Sequence, residues 1–484
     1  MEPTKSYIQS LLTGKGMSIS QNRLKLFDEF VNSESSIEIV KHIIDYQNML
    51  MDRWVLKNRI SDIIDMPINI PNATVNKPYQ TVIDFQQLKL TDLIYFKFDG
   101  LNEIGLTFEK ETNTIKGIPT KDGDVKFTLR FKIEGDSESD TLYEKLIPLI
   151  INPDPKTLWK NIPSDEGAVF WKKDNESVFS QLGEKFAVVA SKRGRSHQNV
   201  GSFRDDDFAI KHFPNNGWSV VAVSDGAGSY SLSRQGSKVA CDAIVEYFSQ
   251  TDDFNQDGEF ESKIQLFNKD KDEAVLKEVE NLSKQLLYKA TIFAHTKIKE
   301  IAAETFANTP DLFDNPKAKS PLDYFHSTLI FALFKKYEFG YLILSFGVGD
   351  CPIAIVNKDK TETSLLNWLD VGEFGGGTRF ITQPEIFHSK EHPMATRFNF
   401  RIITDFSFLF LMTDGIYDPK FVVEANLEKH ENWIQFLDDL NGNNEDDAKV
   451  EFNSENQEID SQLMKWMDFW SAGNHDDRTL AVIF

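Results

Sequence analysis

The sequence predicts an α+β protein: an N-terminal helical segment, then a small β-sandwich, then a larger C-terminal region that mixes strands and helices. Three observations predict it. Apolar residues recur at helical spacing through residues 1–65, and short β-rich runs divided by turn residues fill 66–153. From residue 185 onward, strongly apolar runs alternate with amphipathic helical patterns. The 484 residues are 40% hydrophobic and 12% aromatic, with 39 Phe, which is ample for a large core and excludes a disordered or fibrous chain. The length allows two or three domains.

In the first segment Ile37, Val40 and Ile44, flanked by Ile39 and Ile43, lead on to Met49, Trp54, Leu56 and Ile60. That spacing marks a core or docking face of a helix. Pro67, Pro71 and Pro78 then stop the helix. Strands are expected at 81–85, 93–98, 105–108, 114–118, 125–133 and 146–151, with turns at Asp99-Gly100 and Asp122-Gly123. Such short, evenly spaced strands suggest a β-sandwich over 66–153. The stretch Gly105-Leu-Thr-Phe108, Thr114-Ile-Lys-Gly-Ile-Pro-Thr120 and Gly123 resembles the immunoglobulin-like, cadherin-like modules of bacterial proteins. This resemblance implies a fold that serves as spacer or binding surface, and no catalytic site. A Pro- and charge-rich linker is expected over 154–184, with Trp159 and Trp171 packing on a neighbouring domain.

The third region, 185–484, carries expected buried strands at 188–191, 218–224, 328–334, 341–346, 407–413 and 479–484. Helices are expected at 235–248 and 271–303, the second with Val275, Val279, Leu282, Leu286, Ala290 and Phe293 on one stripe. Nine acidic residues and one Lys between Asp438 and Asp460 read as a solvated surface insertion.

Composition narrows the function. Lys plus Arg total 53 and Asp plus Glu 75, a formal charge of −22. An acidic surface of that size disfavours nucleic acid and anionic membranes as partners. The two cysteines, Cys241 and Cys351, are too few for a disulfide framework or a Cys-rich zinc site and suit a reducing compartment. Residues 1–20 lack the pattern of a signal peptide, and no run reaches the roughly 18 apolar residues of a membrane span. A cytoplasmic protein is expected.

The aspartates fall at strand ends. Asp225 follows 218–224 and precedes Gly226-Ala-Gly228; Asp350 follows 341–346; Asp414 follows 408–413, with Asp418 four residues on. Asp476 and Asp477 precede the last strand, and Asp205, Asp206 and Asp207 precede Phe208-Ala-Ile210. A single Asp-Gly after a strand is ordinarily a turn. Five carboxylate-bearing strand ends converging without a counter-charge would be costly, and divalent cations supply that charge. Oxygen ligands favour Mg²⁺ or Mn²⁺ over zinc. Gly226 and Gly415 would let the backbone approach an ion. The residues alone leave turns and a two-metal hydrolytic site as equal readings.

Order and flanking residues add a resemblance. Ser191-Lys-Arg-Gly-Arg-Ser-His197, Asp205-Asp-Asp-Phe208, Val221-Ala-Val-Ser-Asp-Gly-Ala-Gly228, Ser327-Thr328, Phe346-Gly-Val-Gly-Asp350, Leu411-Met-Thr-Asp-Gly-Ile-Tyr-Asp418 and Asp476-Asp-Arg-Thr-Leu480 occur in that order over some 300 residues. In this order they resemble the protein phosphatase 2C family of metal-dependent serine/threonine phosphatases, in a divergent bacterial branch. The resemblance implies an α-β-β-α sandwich with a binuclear Mn²⁺/Mg²⁺ site. Asp225 then corresponds to the bridging ligand and the Gly226 carbonyl to a ligand of one ion, with Asp414 and Asp476 ligating the other. Asp206 matches a further ligand, with Asp205 standing where the family has Glu. Asp350 and Asp418, with Asp414, match a weaker third metal site. The implied chemistry is hydrolysis of phosphoserine and phosphothreonine by in-line attack of a metal-bridging hydroxide, with a phosphorylated protein as substrate and a serine/threonine kinase as counterpart in signalling.

The chain also departs from the pattern. Ala227 replaces a His that is a proposed general acid elsewhere in the family, leaving His197 and His326 as alternatives. Arg193, Arg195 and Arg204 compete as the phosphate-binding guanidinium, and Arg195 is preferred for its place in Arg193-Gly-Arg-Ser-His197. Cys351 is expected to be a small buried hydrophobe, and Gly375-Gly-Gly-Thr378 a loop near the cleft. Two alternatives to the enzyme are a phosphatase-like scaffold that binds a phosphoprotein or kinase without turnover, and a chain whose immunoglobulin-like module is the principal functional part. Retention of Asp206, Asp225, Asp414 and Asp476 favours the enzyme.

Overall fold

Strands that are apolar at every position, rather than at alternate ones, need cover on both faces, and this demand organises the C-terminal half. The computed structural model describes residues 2–136, 142–255, 257–370, 377–390, 393–471 and 473–484. The chain divides into two units, Met1–Leu158 and Trp159–Phe484.

In the first unit, helices Glu2–Gly14 and Leu24–Val31 precede the long helix Glu34–Asp65, which Ser33 caps by accepting the Ser36 N–H. Val40, Ile60 and Ile63 are buried, whereas Ile39, Met49 and Trp54 are exposed, so only part of the expected apolar face is core. Two small sheets follow. One orders its strands Ala73–Thr74, Tyr143–Asn152, Gly123–Ile133, Leu93–Asp99, and the other Tyr79–Val82, Thr114–Gly117, Leu106–Glu109. They enclose a core that includes Leu106, Ile115, Phe131 and Ile147 together with Ile60 and Ile63 of the long helix. Lys145 donates to the carbonyls of Ile64 and Met66, placing a cation at the helix C-terminus where the dipole favours it.

The second unit is an α-β-β-α sandwich. One antiparallel sheet runs Asp207–Phe213, Trp218–Ser224, Leu329–Tyr337, Gly340–Val348, Phe398–Ile403. The other runs Thr363–Leu365, Ile353–Asn357, Phe406–Met412, Arg478–Ile483, Lys185–Lys192, Asn175–Leu182. Side chains alternate between two cores along each central strand. Trp218, Val220 and Ala222 face helices Ser233–Gln250 and Glu273–Asn308, while Val221 and Val223 join Val189, Leu409 and Leu411 between the sheets. Phe408, Phe410 and Met412 face the opposite way, against helices Asp414–Phe421, His430–Leu440 and Ile459–Trp466. Among the described residues no helix is long and apolar enough to cross a membrane.

Three local expectations change. The span 154–184, expected to be a linker, contains strand Asn175–Leu182, paired with Lys185–Lys192 in the sheet. Its polar sequence suits an edge position, half exposed, and so lacks an apolar strand pattern. The helix expected from 271 begins at Glu273, because Lys271 takes a positive φ of 52° and Asp272 caps the helix by accepting the Ala274 N–H. The acidic stretch 438–460 is not wholly solvated: Ala448, Val450 and Ile459 enter the core, and Asp439 pairs with Lys420.

Candidate metal centre

Each carboxylate is delivered by the end of a strand or the start of a helix. Asp225 leaves strand Trp218–Ser224, and its N–H donates to Thr328 Oγ1 at 2.9 Å while its carbonyl accepts the Thr328 N–H at 2.8 Å. Asp414 opens helix Asp414–Phe421, with Asp418 one turn along. Asp206 sits in the turn before strand Asp207–Phe213, and its Oδ2 accepts from Thr413 and Thr479, both at 2.8 Å. Asp476 and Asp477 lead into Arg478–Ile483. Glycines let these turns nest. A Cβ on Gly226 would fall 2.6 Å from the Asp205 carbonyl oxygen, and one on Gly415 would fall 1.9 Å from that of Asp477. Besides the expected backbone approach to an ion, these two glycines allow close approach of one acidic turn to another.

The carboxylates feel one another. Burial, then Asp414, Asp206, Asp476 and Asp350, push the Asp225 carboxyl well above its ordinary range. Burial, then Asp476, Asp350, Asp206 and Asp418, do the same to Asp414. Asp206 is raised to about 7 by burial and Asp477, although the two threonine hydroxyls oppose it. Asp350, Asp418 and Asp476 are raised as well, each chiefly by burial. Thus Asp206, Asp225, Gly226, Asp350, Asp414, Asp418 and Asp476 come together. One ligand atom each of Asp225, Asp350 and Cys351 lie within 4.8 Å of one another. Cys351 is buried as expected, but its thiol abuts the cluster, 3.3 Å from Thr328 Oγ1. Asp350 Oδ1 is buried with no hydrogen-bond partner, while Oδ2 accepts from Thr378 at 2.8 Å.

Oxygen ligands at this density, an orphaned carboxylate oxygen and strong mutual repulsion together fit hard divalent cations of the Mg²⁺ or Mn²⁺ kind. Asp477 is committed elsewhere: it accepts from the N–H groups of Gly194 and Asp205 and from His197 Nδ1 at 3.0 Å. Burial lowers the His197 pKa, but Asp477, Asp205 and Asp476 outweigh it and raise it to about 10. His326, the other imidazole considered, lies buried against Thr382 Oγ1 at 2.6 Å, its pKa lowered by burial.

The arginines are placed otherwise than expected. Arg195 donates to the carbonyls of Phe469 (3.0 Å) and Asp468 (2.6 Å) and packs over Trp470. That engagement conflicts with the phosphate-binding role expected of it. Arg193 holds the carbonyls of Ser202 and Ile162, and Arg204 holds those of Lys173 and Asp206 together with Glu176. Of the glycine loop at 375–378, Gly375 and Gly376 lie outside the described residues.

A model of the family described as protein phosphatase 2C matches residues 193–467, more than half of the chain. The chain belongs to the protein phosphatase 2C family. No curated protein matches it. Among solved structures, the chain is similar to a bacterial serine phosphatase at 14% identity and a TM-score of 0.32, covering 61% of this chain and 96% of that one. It is also similar to the catalytic domain of the serine threonine protein phosphatase PstP in complex with two manganese ions (14%, TM-score 0.35, 61% and 96%). A third is RsbX in complex with magnesium (11%, TM-score 0.31, 64% and 98%).

The sequence alone does not point to Lys172 beside this cluster. Lys172 donates to the Asp206 carbonyl at 2.7 Å, Asp207 Oδ2 at 2.8 Å, the Arg234 carbonyl at 3.1 Å and Ser237 Oγ at 3.3 Å. Burial works against the charge of Asp207, but Lys172 and Arg204 outweigh it and hold its carboxyl below the usual range. Lys172 therefore clamps, from behind, the turn that presents Asp206. It lies 34 residues before that Asp in chain order, inside the expected linker, and carries no local signal. Thr413 and Thr479, by contrast, sit next to or close to expected ligands in the sequence and were open to inspection.

Proposed function

We propose that the chain is a metal-dependent phosphoprotein phosphatase acting on phosphoserine and phosphothreonine monoesters. The convergence of Asp206, Asp225, Asp414 and Asp476 carries this reading, because four carboxylates whose pKa values are all raised by their surroundings and by neighbouring carboxylates are an unstable arrangement without cations. In this reading Asp206, Asp225, the Gly226 carbonyl, Asp414 and Asp476 hold two Mn²⁺ or Mg²⁺ ions, and Asp350 and Asp418 offer a weaker third position. When bound, such ions supply Lewis acidity for water and positive charge for phosphoryl oxygens. Thr413 and Thr479 fix the Asp206 carboxylate, and Asp225 is fixed through its backbone by Thr328. His197, held protonated by Asp477 and Asp205, keeps a proton beside the cluster where Ala227 cannot.

The engaged arginines favour a second reading, a phosphoprotein-binding scaffold that needs no phosphate clamp. Release of phosphate from a phosphothreonine peptide decides between them. The enzyme gives turnover with Mn²⁺ that disappears with chelator and in Asp225→Asn. Losing a ligand should exceed the roughly 10- to 100-fold cost of losing an outer partner. Folded protein without turnover in either metal leaves the scaffold.

A further inference from the structure

A cavity of about 630 Å³ in the second unit is walled by Asn367, Trp368 and Leu369 on one side and by Glu424 and Glu428 on the other. Both walls are joined to segments that carry cluster carboxylates. Asn367 Nδ2 donates to the Cys351 carbonyl at 2.8 Å, and its Oδ1 accepts the Ile353 N–H at 2.7 Å. Asp370, two residues beyond Trp368, accepts the Gly349 N–H at 2.9 Å. The first wall is thus hydrogen-bonded to both flanks of Asp350. The second wall continues from helix Asp414–Phe421, which bears Asp414 and Asp418, and the charge of Glu424 reaches both Asp350 and Asp418.

The charge of the groove is one-sided. Arg397, the cation in its lining, is buried and bound through two nitrogens to Asp370 at 2.5 and 2.8 Å, so it offers no positive charge to a ligand. Glu424 and Glu428 remain as its charge, beside the Trp368 ring, which is 42% exposed and already carries the Arg397 guanidinium 5.5 Å from its centroid. Because the groove is bonded to both flanks of Asp350 and continues from the helix of Asp414 and Asp418, it is the neighbouring groove for chain that flanks a phosphate at the cluster. We infer that the groove is the docking site for the chain flanking the phosphoresidue, and that it selects substrate segments carrying Lys or Arg there. This rests on the phosphatase reading, and it names the substrate class of that site.

The test uses the full chain with Mn²⁺ and two phosphothreonine peptides that differ only in having Arg or Glu at the flanking positions. The Arg peptide should show a kcat/KM roughly three- to tenfold higher, as expected for one or two partly exposed charge pairs, mostly through KM. In the double variant Glu424→Gln, Glu428→Gln the ratio should fall to within about twofold, because the charges that set it are gone. Glu431→Gln, an exposed acid outside the groove, should preserve the ratio. Equal rates on the two peptides, a preference for Glu, or a preference surviving in the double variant overturns the inference. If neither peptide turns over, the phosphatase reading has failed, and the groove is tested by binding. Fluorescence anisotropy with labelled copies of both peptides must then show tighter binding of the Arg peptide, lost in the double variant; equal binding overturns the inference.

Discussion

Asp225 shows how a residue can be costly to the fold and still define it. Its carboxyl is raised by burial and by four neighbouring carboxylates, so ionising it in the folded chain is harder than in the unfolded one. The sign follows directly. A folded-state pKa raised above the unfolded value of about 4 gives stability that is complete below that pH and lost as the pH rises through the folded value. Asp205 and Asp206, both raised to about 7, place that window between about 4 and 7 for their share. In chelator, Asp225→Asn should therefore be more stable than the native chain, by a margin that grows as the pH rises from about 4 to 8. Adding Mn²⁺ at a hundred times its Kd should stabilise the native chain by about 2.7 kcal/mol and the variant by much less. Thermal unfolding across pH, with and without metal, reads both effects. A variant less stable than the native chain in chelator at pH 8 would show that the carboxylates are not in conflict. At this scale much is legible in the sequence: Asp225, Gly226, Asp350 and Asp414 follow apolar runs, and Asp206 and Asp476 stand just before strands, where the period of a strand makes its end visible. The placement of Arg195 differs from the expectation because its motif says nothing of the Asp468 and Phe469 carbonyls that receive it.

At the scale of elements, the segment from Trp159 to Lys172 is a strap on the α-β-β-α sandwich. Trp159 packs on His475 with centroids 4.5 Å apart, Ile162 N–H donates to the Gln198 carbonyl, and Arg234 holds the carbonyls of Val169 and Phe170. Lys172 ends the strap behind the Asp205–Asp207 turn, with a side chain only 9% exposed. Lys172→Met would leave Asp207 buried without its ion partner, which costs about 3–5 kcal/mol. It should also loosen the turn and weaken Mn²⁺ binding. Calorimetric Mn²⁺ titration beside thermal unfolding separates the two effects. Loss of stability with unchanged metal affinity would reduce Lys172 to a structural role. None of this was legible, because a strap of Pro, Trp and charged residues makes its bonds to distant segments, and its local pattern matches that of a free linker. Strand Asn175–Leu182 was hidden for a related reason: an edge strand owes its conformation to the neighbour it pairs with.

For the whole molecule, the contacts of the strap place the start of the second unit at Trp159 rather than near Lys185. A chain of residues 159–484 should unfold cooperatively and bind Mn²⁺. A chain of residues 185–484 lacks the edge strand Asn175–Leu182, the Ile162 carbonyl that Arg193 holds, the Lys173 carbonyl and Glu176 that Arg204 holds, and Lys172. It exposes a long apolar strand edge and should aggregate or unfold without a sharp transition. Light scattering and calorimetry on the two truncations check this, and a well-behaved 185–484 would mean that the strap is dispensable.

The sequence by itself determined the sandwich and the acidic strand ends, because strand periodicity and the residues that terminate strands are local properties of the chain. Only the tertiary structure decided which groups serve those carboxylates. Lys172 lies 34 residues from Asp206, and Thr378 lies 28 from Asp350. The same holds for the commitment of Asp477 to His197 and Gly194, and of the three arginines to main-chain carbonyls. The physical reason is that a buried charge or polar group takes whichever partner the folded chain brings within about 3 Å, and sequence distance places no limit on that choice.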